Sequence, residues 1–314
     1  MRYVLLFLLI SSAVFVQQKT RKTVFVILDG IPADVLEKVE TPHIDEIAAK
    51  GSYARAYVGG EKGGESESPT ISAVGYNSLL TGTWANKHNV WGNSIKDPDY
   101  EYWSIFRIMR NARPEAKLGI YSTWEDNRTK LIGEGKPETG YLKIDFVFDG
   151  YERDTVNFPH DEAREYIRKI DELVVDEAAK SIKKDAPDLS WIYLEFTDDM
   201  GHKFGDSPEM YEAVKLADRQ MGEVFDVIKI REQNYNEEWL IVITTDHGRD
   251  ADTGKNHGGQ SDRERMTWIV SSKLITGKKR PLAIVDLLPS ICEFMGVEIL
   301  ERVKAGLDGE SFFE

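Results

Sequence analysis

The chain has 314 residues, of which 41% are hydrophobic and 30% charged, and its formal net charge at pH 7 is −14. This length and composition suit one large α/β domain or two small ones with a sizeable core. The acidic balance excludes a non-specific nucleic-acid-binding surface, which needs clustered Lys and Arg, and no such surface is expected. It does not exclude phosphorylated ligands, because bound divalent ions reverse the local potential. The single cysteine, Cys292, excludes an intrachain disulfide and is expected to be a buried structural thiol.

Residues 1–16 have the pattern of a signal peptide. A short apolar run follows Arg2 and ends before Gln17. The run is too short for a comfortable membrane span, so we expect an exported chain, periplasmic or secreted, without a stable span after cleavage. An uncleaved anchor is the alternative. We expect residues 17–314 to form a single domain, because the sequence shows no internal repeat, low-complexity tract or Pro/Ser-rich linker.

Apolar runs rich in β-branched residues alternate with helical periodicity, which predicts βαβ units and a largely parallel sheet. In chain order, the predicted strands are Thr23–Leu28, Leu118–Ser122, Trp191–Phe196, Leu240–Thr244 and Met266–Ser271. A capped helix is predicted from Thr41-Pro42 to Gly51, and the helical, charged stretch over residues 160–184 is interpreted as a solvated face. A third helix is predicted to pack on the sheet through a stripe of apolar residues, namely Met210, Val214, Ala217, Met221, Val224 and Ile228. The sequence therefore predicts an α/β fold with a largely parallel central sheet flanked by helices.

Asp and His side chains follow three of the predicted strands and precede a fourth. In chain order they are Asp29, Asp198, His202, Asp246, His247 and His257. Singly, each Asp could be a turn or cap residue and each His a core or surface residue. Ligands of open α/β sheets collect at the carboxyl ends of strands, so these side chains are expected to converge. Asp and His suit zinc or a similar divalent ion, and six of them are enough for two ions.

A hydroxyl residue, Ser72, begins a short helix-like stretch that Gly82 closes. Backbone N–H groups and the helix dipole favour negative charge at such an N-terminus. Ser72 could serve only as a helix cap. Beside two divalent ions, the same hydroxyl becomes a candidate nucleophile.

Five ordered motifs resemble the alkaline phosphatase superfamily, and most of all its nucleotide pyrophosphatase/phosphodiesterase branch. They are Asp29-Gly30, Ser72 with Thr81-Gly82, Asp198 with His202, Asp246-His247-Gly248, and His257-Gly258. The resemblance implies an alkaline-phosphatase-like three-layer α/β sandwich and a metal-dependent hydrolase acting on phosphoester bonds. It also favours Ser72 over Thr70, whose spacing to the Thr-Gly pair is two residues too long.

The resemblance also implies a role for each matched residue. Two divalent metal ions, with zinc favoured, would be held in two sets: Asp198, His202 and His257 for one, and Asp29, Asp246, His247 and Ser72 for the other. Ser72 would form a covalent phosphoseryl intermediate. Asn93 lies at the family's spacing for a phosphate-binding asparagine, and with the amide that follows Ser72 it would donate to a non-bridging oxygen. The other histidines, His43, His88 and His160, are interpreted as structural or surface residues.

Two features depart from that branch. Ser72 replaces the usual threonine, which is chemically a mild exchange, and Ala73 stands where an aromatic residue would stack on a nucleobase. Nucleotide preference therefore stays open. Candidates for a substitute platform are Trp84, Trp91, Trp124 and Tyr151, with a role in the core or the rim equally open for each.

We expect a small phosphorylated substrate and phosphodiesterase or pyrophosphatase activity, because the neutral donor Asn93 suits a phosphoryl group that bears a second ester. A phosphomonoesterase or phosphonate hydrolase is the alternative and would need a cationic clamp, which the sequence does not identify. A sulfatase is excluded because its Cys/Ser-x-Pro-x-Arg motif is absent at Ser72. The sequence disfavours a membrane phosphoethanolamine transferase, which needs several spans, and a non-catalytic binding protein, because every expected ligand is present.

Overall fold

The computed structural model describes residues 18–277 and 280–313. The predicted signal segment, residues 1–16, lies outside the described residues, and the single domain 17–314 also stays a prediction. The strands are β1 Thr20–Leu28, β2 Ser52–Tyr57, β3 Leu118–Ser122, β4 Phe146–Phe148, β5 Leu189–Leu194, β6 Glu237–Thr244, β7 Met266–Ser271 and β8 Leu282–Ala283.

The helices lie between these strands and after them. They are α1 Ala33–Leu36, α2 Pro42–Lys50, α3 Ser72–Thr81, α4 Ala85–His88, α5 Ile105–Ala112, α6 Glu165–Lys184, α7 Phe196–Phe204, α8 Pro208–Asn234, α9 Asp262–Arg265, α10 Leu287–Met295 and α11 Glu301–Lys304. A π-helical turn spans Asn127–Ile132, and 3-10 turns span Pro137–Thr139, Tyr151–Arg153 and Ile284–Asp286. In residues 18–277 and 280–313, no helix combines the length and the apolar character needed to cross a bilayer.

The described strands form one eight-stranded sheet in the order β4-β3-β5-β1-β6-β7-β2-β8. Strands β4, β3, β5, β1 and β6 pair in parallel, and β7 is antiparallel to both of its neighbours. The predicted α/β class with a largely parallel, helix-flanked sheet is therefore confirmed. Strands β2, β4 and β8 were not predicted. Strands β4 and β8 have only three and two residues, too few for a pattern, and β2 carries few of the β-branched residues used to find strands.

Three predicted elements need correction. Strand β5 ends at Leu194, two residues before its predicted end at Phe196, because the chain turns there into α7. The charged stretch 160–184 is more than a solvated face, since α6 buries Ile170, Val174 and other residues. Helix α2 has its predicted extent, but Thr41 makes no side-chain capping bond at its start.

The sheet separates two apolar layers. Alternate residues of β1 point to opposite faces, so Phe25 and Ile27 join one layer with α3 and α10, while Val26 joins the other with α6 and α8. The predicted stripe on α8, from Met210 to Ile228, is buried in the second layer and confirms that helix as sheet-packing. Both faces of β1 are thus covered by helices, as expected for a three-layer sandwich.

Strand order determines where the polar residues at the strand ends lie. Strands β5, β1 and β6 are neighbours and parallel, so their carboxyl ends share one edge of the sheet. Strand β7 runs the other way and begins at that edge, which keeps the β6–β7 loop there as well. The fold thus places Asp29, Asp198, Asp246 and His257 on the same edge although they are far apart in sequence.

We predict that Phe25→Ala lowers the free energy of unfolding by about 3–5 kcal/mol, because it leaves a cavity in the layer that supports β1. Phe25 is fully buried, with ring centroids 5.9 Å from Trp191 and 6.1 Å from Phe106. Urea denaturation measures the change. The control is Val156→Ala at a side chain that is 87% exposed, expected to change stability by less than about 0.5 kcal/mol. Equal effects of the two substitutions would contradict this picture of the core.

Candidate active site

Three side chains from two separate segments meet beside Ser72, the first residue of α3. Asp29 follows β1 and is 1% exposed, while Asp246 and His247 follow β6 and are fully buried. The His247 Nε2 atom lies 3.5 Å from Asp29 Oδ1, 3.2 Å from Asp246 Oδ2 and 3.4 Å from Ser72 Oγ. Donor atoms of the Asp and His residues lie within 4.8 Å of one another, a spacing that one ion can bridge.

A second group of ligand atoms adjoins the first. Asp198 and His202 are four residues apart on α7, so they share one face of that helix. The His202 Nε2 atom lies 3.3 Å from Asp198 Oδ2 and 3.0 Å from His257 Nε2. The ring of His257 stacks on that of His247 at 3.7 Å, and donor atoms of Asp198, His247 and His257 also lie within 4.8 Å of one another. The structure therefore gathers all six predicted ligand residues and Ser72, and His247 lies between the two groups.

The two stacked imidazoles are oriented by backbone carbonyls. The Nδ1 atom of His247 lies 2.9 Å from the Gly248 carbonyl, and that of His257 lies 2.8 Å from the Thr70 carbonyl. Because a carbonyl only accepts, each Nδ1 carries the proton and each Nε2 presents a lone pair to the cluster. Burial, and then His257, lower the pKa of His247 well below its ordinary value, so its ring is neutral. This is the form in which histidine binds a metal.

Only some of the carboxylate oxygens in the cluster have hydrogen-bond partners. Asp29 Oδ2 accepts a hydrogen bond from Tyr193 at 2.7 Å and another from Tyr76, whereas Asp29 Oδ1 and Asp246 Oδ2 are buried without a hydrogen-bond partner. A buried, unpaired carboxylate oxygen is costly unless a cation compensates it. The residues present therefore fit divalent ions. Their oxygen and nitrogen atoms are of the kind that bind such ions, and the unpartnered carboxylate oxygens are free to do so.

The charges of the carboxylates reflect this crowding. Burial, followed by the nearby carboxylates of Asp246 and Asp198, raises the pKa of Asp29 well above its ordinary value. Burial likewise raises the pKa of Asp246 to about 7. Burial also acts to raise the pKa of Asp198, but the adjacent guanidinium of Arg249 and a hydrogen bond from His202 outweigh it, and the net pKa is below the ordinary value. Without ions, burial and the neighbouring carboxylates therefore favour the protonated forms of Asp29 and Asp246.

Helix α3 presents Ser72 to this cluster. Every residue of the helix is buried, Ser72 is its first residue, and Ile71 in the N-cap position offers no side-chain acceptor. The first N–H groups thus point toward the site. Gly75 allows the close approach, since a Cβ there would lie 2.7 Å from the Asp246 carbonyl oxygen. At the other end, Gly82 closes the helix in the left-handed conformation with φ 65°.

Asn93 lies directly beside the nucleophile candidate. Its Oδ1 atom accepts the Ala73 N–H at 3.0 Å, and its side chain is exposed. The sequence predicted that both Asn93 and this amide would donate to a phosphate oxygen. In the structure the amide is instead bonded to Asn93, which leaves the Asn93 Nδ2 group as the donor that faces outward.

The predicted platform residues have different surroundings. Ala73 is fully buried, and Trp84 is 5% exposed and stacks on Tyr57 in the core. Trp124 is half-buried and its ring lies at 69° to that of Tyr76, and Tyr151 stacks on Phe148 at 4.6 Å. Trp91 is 47% exposed and lies two residues before Asn93 in sequence. It is therefore the member of the set with most ring surface open to a ligand.

The three remaining histidines lie apart from the cluster of ligand atoms. His88 is fully buried and bonds Ser78 of α3 at 3.0 Å, and burial lowers its pKa to about 3. The amide of His43 donates to Asp218. His160 stacks on Tyr166 at the rim of a cavity of about 610 Å³ that adjoins His202. That cavity is lined by polar residues, namely His160, Asp161, Glu162, Arg164, Asp199, His202 and Lys203.

Several residues that shape the site were missed from sequence. Tyr76 lies four residues after Ser72 on the same helix face, a spacing that could have indicated it. Arg249 directly follows Asp246-His247-Gly248, and its place beside that motif was a usable signal. Tyr193 and Asp171 offered no signal in the sequence, because Tyr193 belongs to an ordinary strand pattern and Asp171 to an ordinary helix pattern.

Asp171 on α6 positions the start of α7. Its carboxylate accepts the N–H groups of Glu195 at 3.2 Å and Phe196 at 2.9 Å, and a hydrogen bond from Thr123. Helix α7 carries Asp198 and His202, so this contact fixes the helix that supplies the second group. Burial raises the pKa of Asp171 to about 7, although these hydrogen bonds oppose the increase.

We predict that Asp171 makes the metal-free chain less stable as the pH rises. A carboxyl with a higher pKa in the folded than in the unfolded chain contributes stability below about pH 4, and this is lost as the pH rises to about 7. Between pH 5 and 8, the free energy of unfolding should fall by about 2 to 3 kcal/mol more in the wild type than in Asp171→Asn. Denaturation with EDTA present measures both, and the ligand carboxylates cancel in the comparison. Parallel pH profiles would contradict the assignment.

Comparison with known proteins places these features in a family. The profile of the family "Type I phosphodiesterase / nucleotide pyrophosphatase" matches residues 23–261. Ectonucleotide pyrophosphatase/phosphodiesterase family member 7 of Rattus norvegicus is 27% identical over 244 residues, which cover 74% of this chain and 51% of that protein. The family member 5 of Homo sapiens is 26% identical over 259 residues, covering 78% and 48%. The chain spans about half the length of the curated relatives it matches.

Solved structures show the same fold. Murine ectonucleotide pyrophosphatase/phosphodiesterase 5, an inactive variant in complex with AMP, superposes with a TM-score of 0.63 at 16% identity, covering 90% of this chain and 96% of that one. At this identity the likeness establishes the fold alone.

Proposed function

This chain belongs to the type I phosphodiesterase / nucleotide pyrophosphatase family, and we propose on that premise that it hydrolyses phosphodiester or pyrophosphate bonds with Ser72 as its nucleophile. The observation that carries the proposal is the position of the Ser72 hydroxyl. It lies at the first residue of a buried helix, 3.4 Å from His247 Nε2 and beside a cluster of carboxylates. A serine that served only to start a helix would not need this surrounding.

Two divalent ions would complete the site, and zinc suits its mixture of Asp and His donors. Asp29, Asp246 and His247, with Ser72, would hold one ion, and Asp198, His202 and His257 would hold the other. When bound, such a pair lowers the pKa of a nucleophile and stabilises the charge on the attacking and leaving oxygens. The unpartnered oxygens of Asp29 and Asp246 and the inward Nε2 atoms support this assignment.

Ser72 and its helix carry out the first half of the reaction. The Ser72 hydroxyl loses its proton to solvent, its oxygen forms a bond to phosphorus, and the bond from phosphorus to the leaving oxygen breaks. The helix N-terminus of α3 favours the negative charge that develops there. Water then attacks the phosphoseryl group, its oxygen replaces that of Ser72, and the serine regains a proton. Two in-line displacements give net retention at phosphorus.

Asn93 supports a diester or pyrophosphate substrate over a monoester. It is neutral, and its Oδ1 bond to the Ala73 amide holds its Nδ2 group ready to donate to one phosphate oxygen. The nearest buried guanidinium, that of Arg249, is occupied by three backbone carbonyls. A dianionic monoester would need a cation at the position that Asn93 holds.

We predict that Ser72→Ala lowers kcat by at least roughly 1,000-fold, because the covalent step loses its oxygen. Metal content at saturating zinc and melting temperature should stay close to those of the wild type, since the substitution removes only Ser72 of the seven proposed ligands and keeps all six Asp and His residues. Ser72→Thr is the matched variant and should retain measurable turnover, because it keeps a hydroxyl at the same atom. Full activity of Ser72→Ala would refute the proposed nucleophile.

The substrate class is tested by comparing bis-p-nitrophenyl phosphate with p-nitrophenyl phosphate. The proposal predicts a higher kcat/KM for the diester, and Asn93→Ala should lower the diester value by about 100-fold. A clear preference for the monoester would favour a phosphomonoesterase instead. Preference for a phosphonate ester over both would favour a phosphonate hydrolase on the same residues.

The cellular location remains a separate prediction. Export to the periplasm or outside the cell rests on the apolar run in residues 1–16, which lie outside the described residues.

A further inference from the structure

Arg249 is the buried cation of the site, and the reaction described above leaves it without a role. It lies two residues after His247 and is 1% exposed. It is among the largest fully buried side chains in the part of the chain that the structure describes. Burying a guanidinium costs free energy unless its N–H groups find hydrogen-bond acceptors and its charge is paired. Its contacts should therefore show what the charge does.

The guanidinium joins the segments that carry the ligands. Its Nε atom donates to the Gly30 carbonyl at 3.0 Å, next to Asp29. Its Nη1 atom donates to the Lys255 carbonyl at 3.1 Å, two residues before His257. Its Nη2 atom donates to the Asp198 carbonyl at 2.8 Å and also to Asp198 Oδ1. One side chain thus links the ends of β1 and β6, helix α7 and the loop that precedes β7.

Two glycines provide the space that this arrangement needs. A Cβ at Gly201 would lie 2.2 Å from Arg249 Nε, and a Cβ at Gly30 would lie 2.4 Å from Asp198 Oδ1 and 2.8 Å from Arg249 Nη2. Gly201 lies inside α7, where alanine would otherwise be the better helix former. The backbone is therefore built closely around the contact between Arg249 and Asp198.

The two oxygens of the Asp198 carboxylate have different partners. Its Oδ1 atom bonds Arg249 and lies 4.0 Å from His257 Nε2, while its Oδ2 atom lies 3.3 Å from His202 Nε2. Arg249 thus occupies one accepting direction of Oδ1, whereas Oδ2 makes no bond to the guanidinium. A planar guanidinium fixes that orientation because it bonds the backbone and the carboxylate of the same residue.

We propose that Arg249 is a positioning residue that holds Asp198, through its carbonyl and its Oδ1 atom, so that Oδ2 is the oxygen offered to the ion of the second group. The inference rests on the proposed function, since it assumes that ions bind at these residues. A positioning role differs from a purely structural one in its prediction. Loss of the forked guanidinium contact with Asp198 should weaken the binding of one ion and not of the other. A general loss of stability should not discriminate between the two ions.

The test is zinc binding to the metal-free full chain, measured by isothermal titration. We expect two zinc ions on the wild type. Arg249→Lys keeps the charge but loses the fork, and it should bind one of the two ions roughly 10- to 100-fold more weakly while the other changes little. Arg249→Met should show at least the same loss. Unchanged affinity in a folded Arg249→Lys, or tighter binding in Arg249→Met, would overturn the inference.

The matched control is Arg231→Met. Arg231 is also a buried arginine, 7% exposed and paired with Glu237, but Glu237 begins β6 and the site lies at the other end of that strand. This variant should lower the melting temperature and keep both zinc affinities. Weakened zinc binding in the control would mean that stability alone explains the effect of Arg249, and would overturn the inference.

Two further measurements decide the case if the Arg249 variants do not fold. Gly201→Ala leaves the arginine in the chain but displaces its guanidinium, so it should reproduce the loss at one ion; unchanged zinc binding would overturn the proposal. A crystal structure of the zinc-loaded wild type should show Asp198 bound through Oδ2 alone, with Oδ1 still on Arg249. Both oxygens on the ion would refute it. If the wild type binds no zinc or other divalent ion, the proposed function fails first.

Discussion

Burial of three neighbouring carboxylates, together with their mutual repulsion, is the constraint on which the site depends. Asp29 and Asp246 are almost fully buried, the side chain of Asp198 is 13% exposed, and two of their oxygens have no hydrogen-bond partner. The raised pKa of Asp29 expresses the cost of this arrangement in the absence of ions. A fold keeps so unfavourable a cluster when cations offset it, and the free energy held there becomes binding energy for those cations.

The rest of the structure serves to bring these groups together. Parallel pairing of β5, β1 and β6 gathers their carboxyl ends, and the reversed β7 returns the His257 loop to the same edge. Close contacts then adjust the positions: Gly75 lets helix α3 approach Asp246, and Asp171 fixes the start of α7. The nucleophile candidate, the ligands and the residues that orient them therefore belong to one tightly packed unit.

Sequence reasoning identified the fold class and the residues at the strand ends, because alternation of apolar runs and ordered Asp-His motifs are local signals. It could not find β4 or β8, which are shorter than any periodic pattern. It extended β5 through Phe196 because this apolar residue lies only two positions beyond Leu194. The missed residues Tyr193 and Asp171 act through contacts made only by folding. No spacing in the sequence shows that a helix carboxylate will cap another helix.

We propose that the six Asp and His side chains hold two cations. Equilibrium dialysis of the EDTA-treated full chain against zinc, followed by elemental analysis, measures this. We expect two zinc ions per chain for the wild type, released together with a gain of protons as the pH is lowered through the range in which the carboxylates titrate. Fewer than one ion per chain at saturating zinc, with the fold intact, would contradict it.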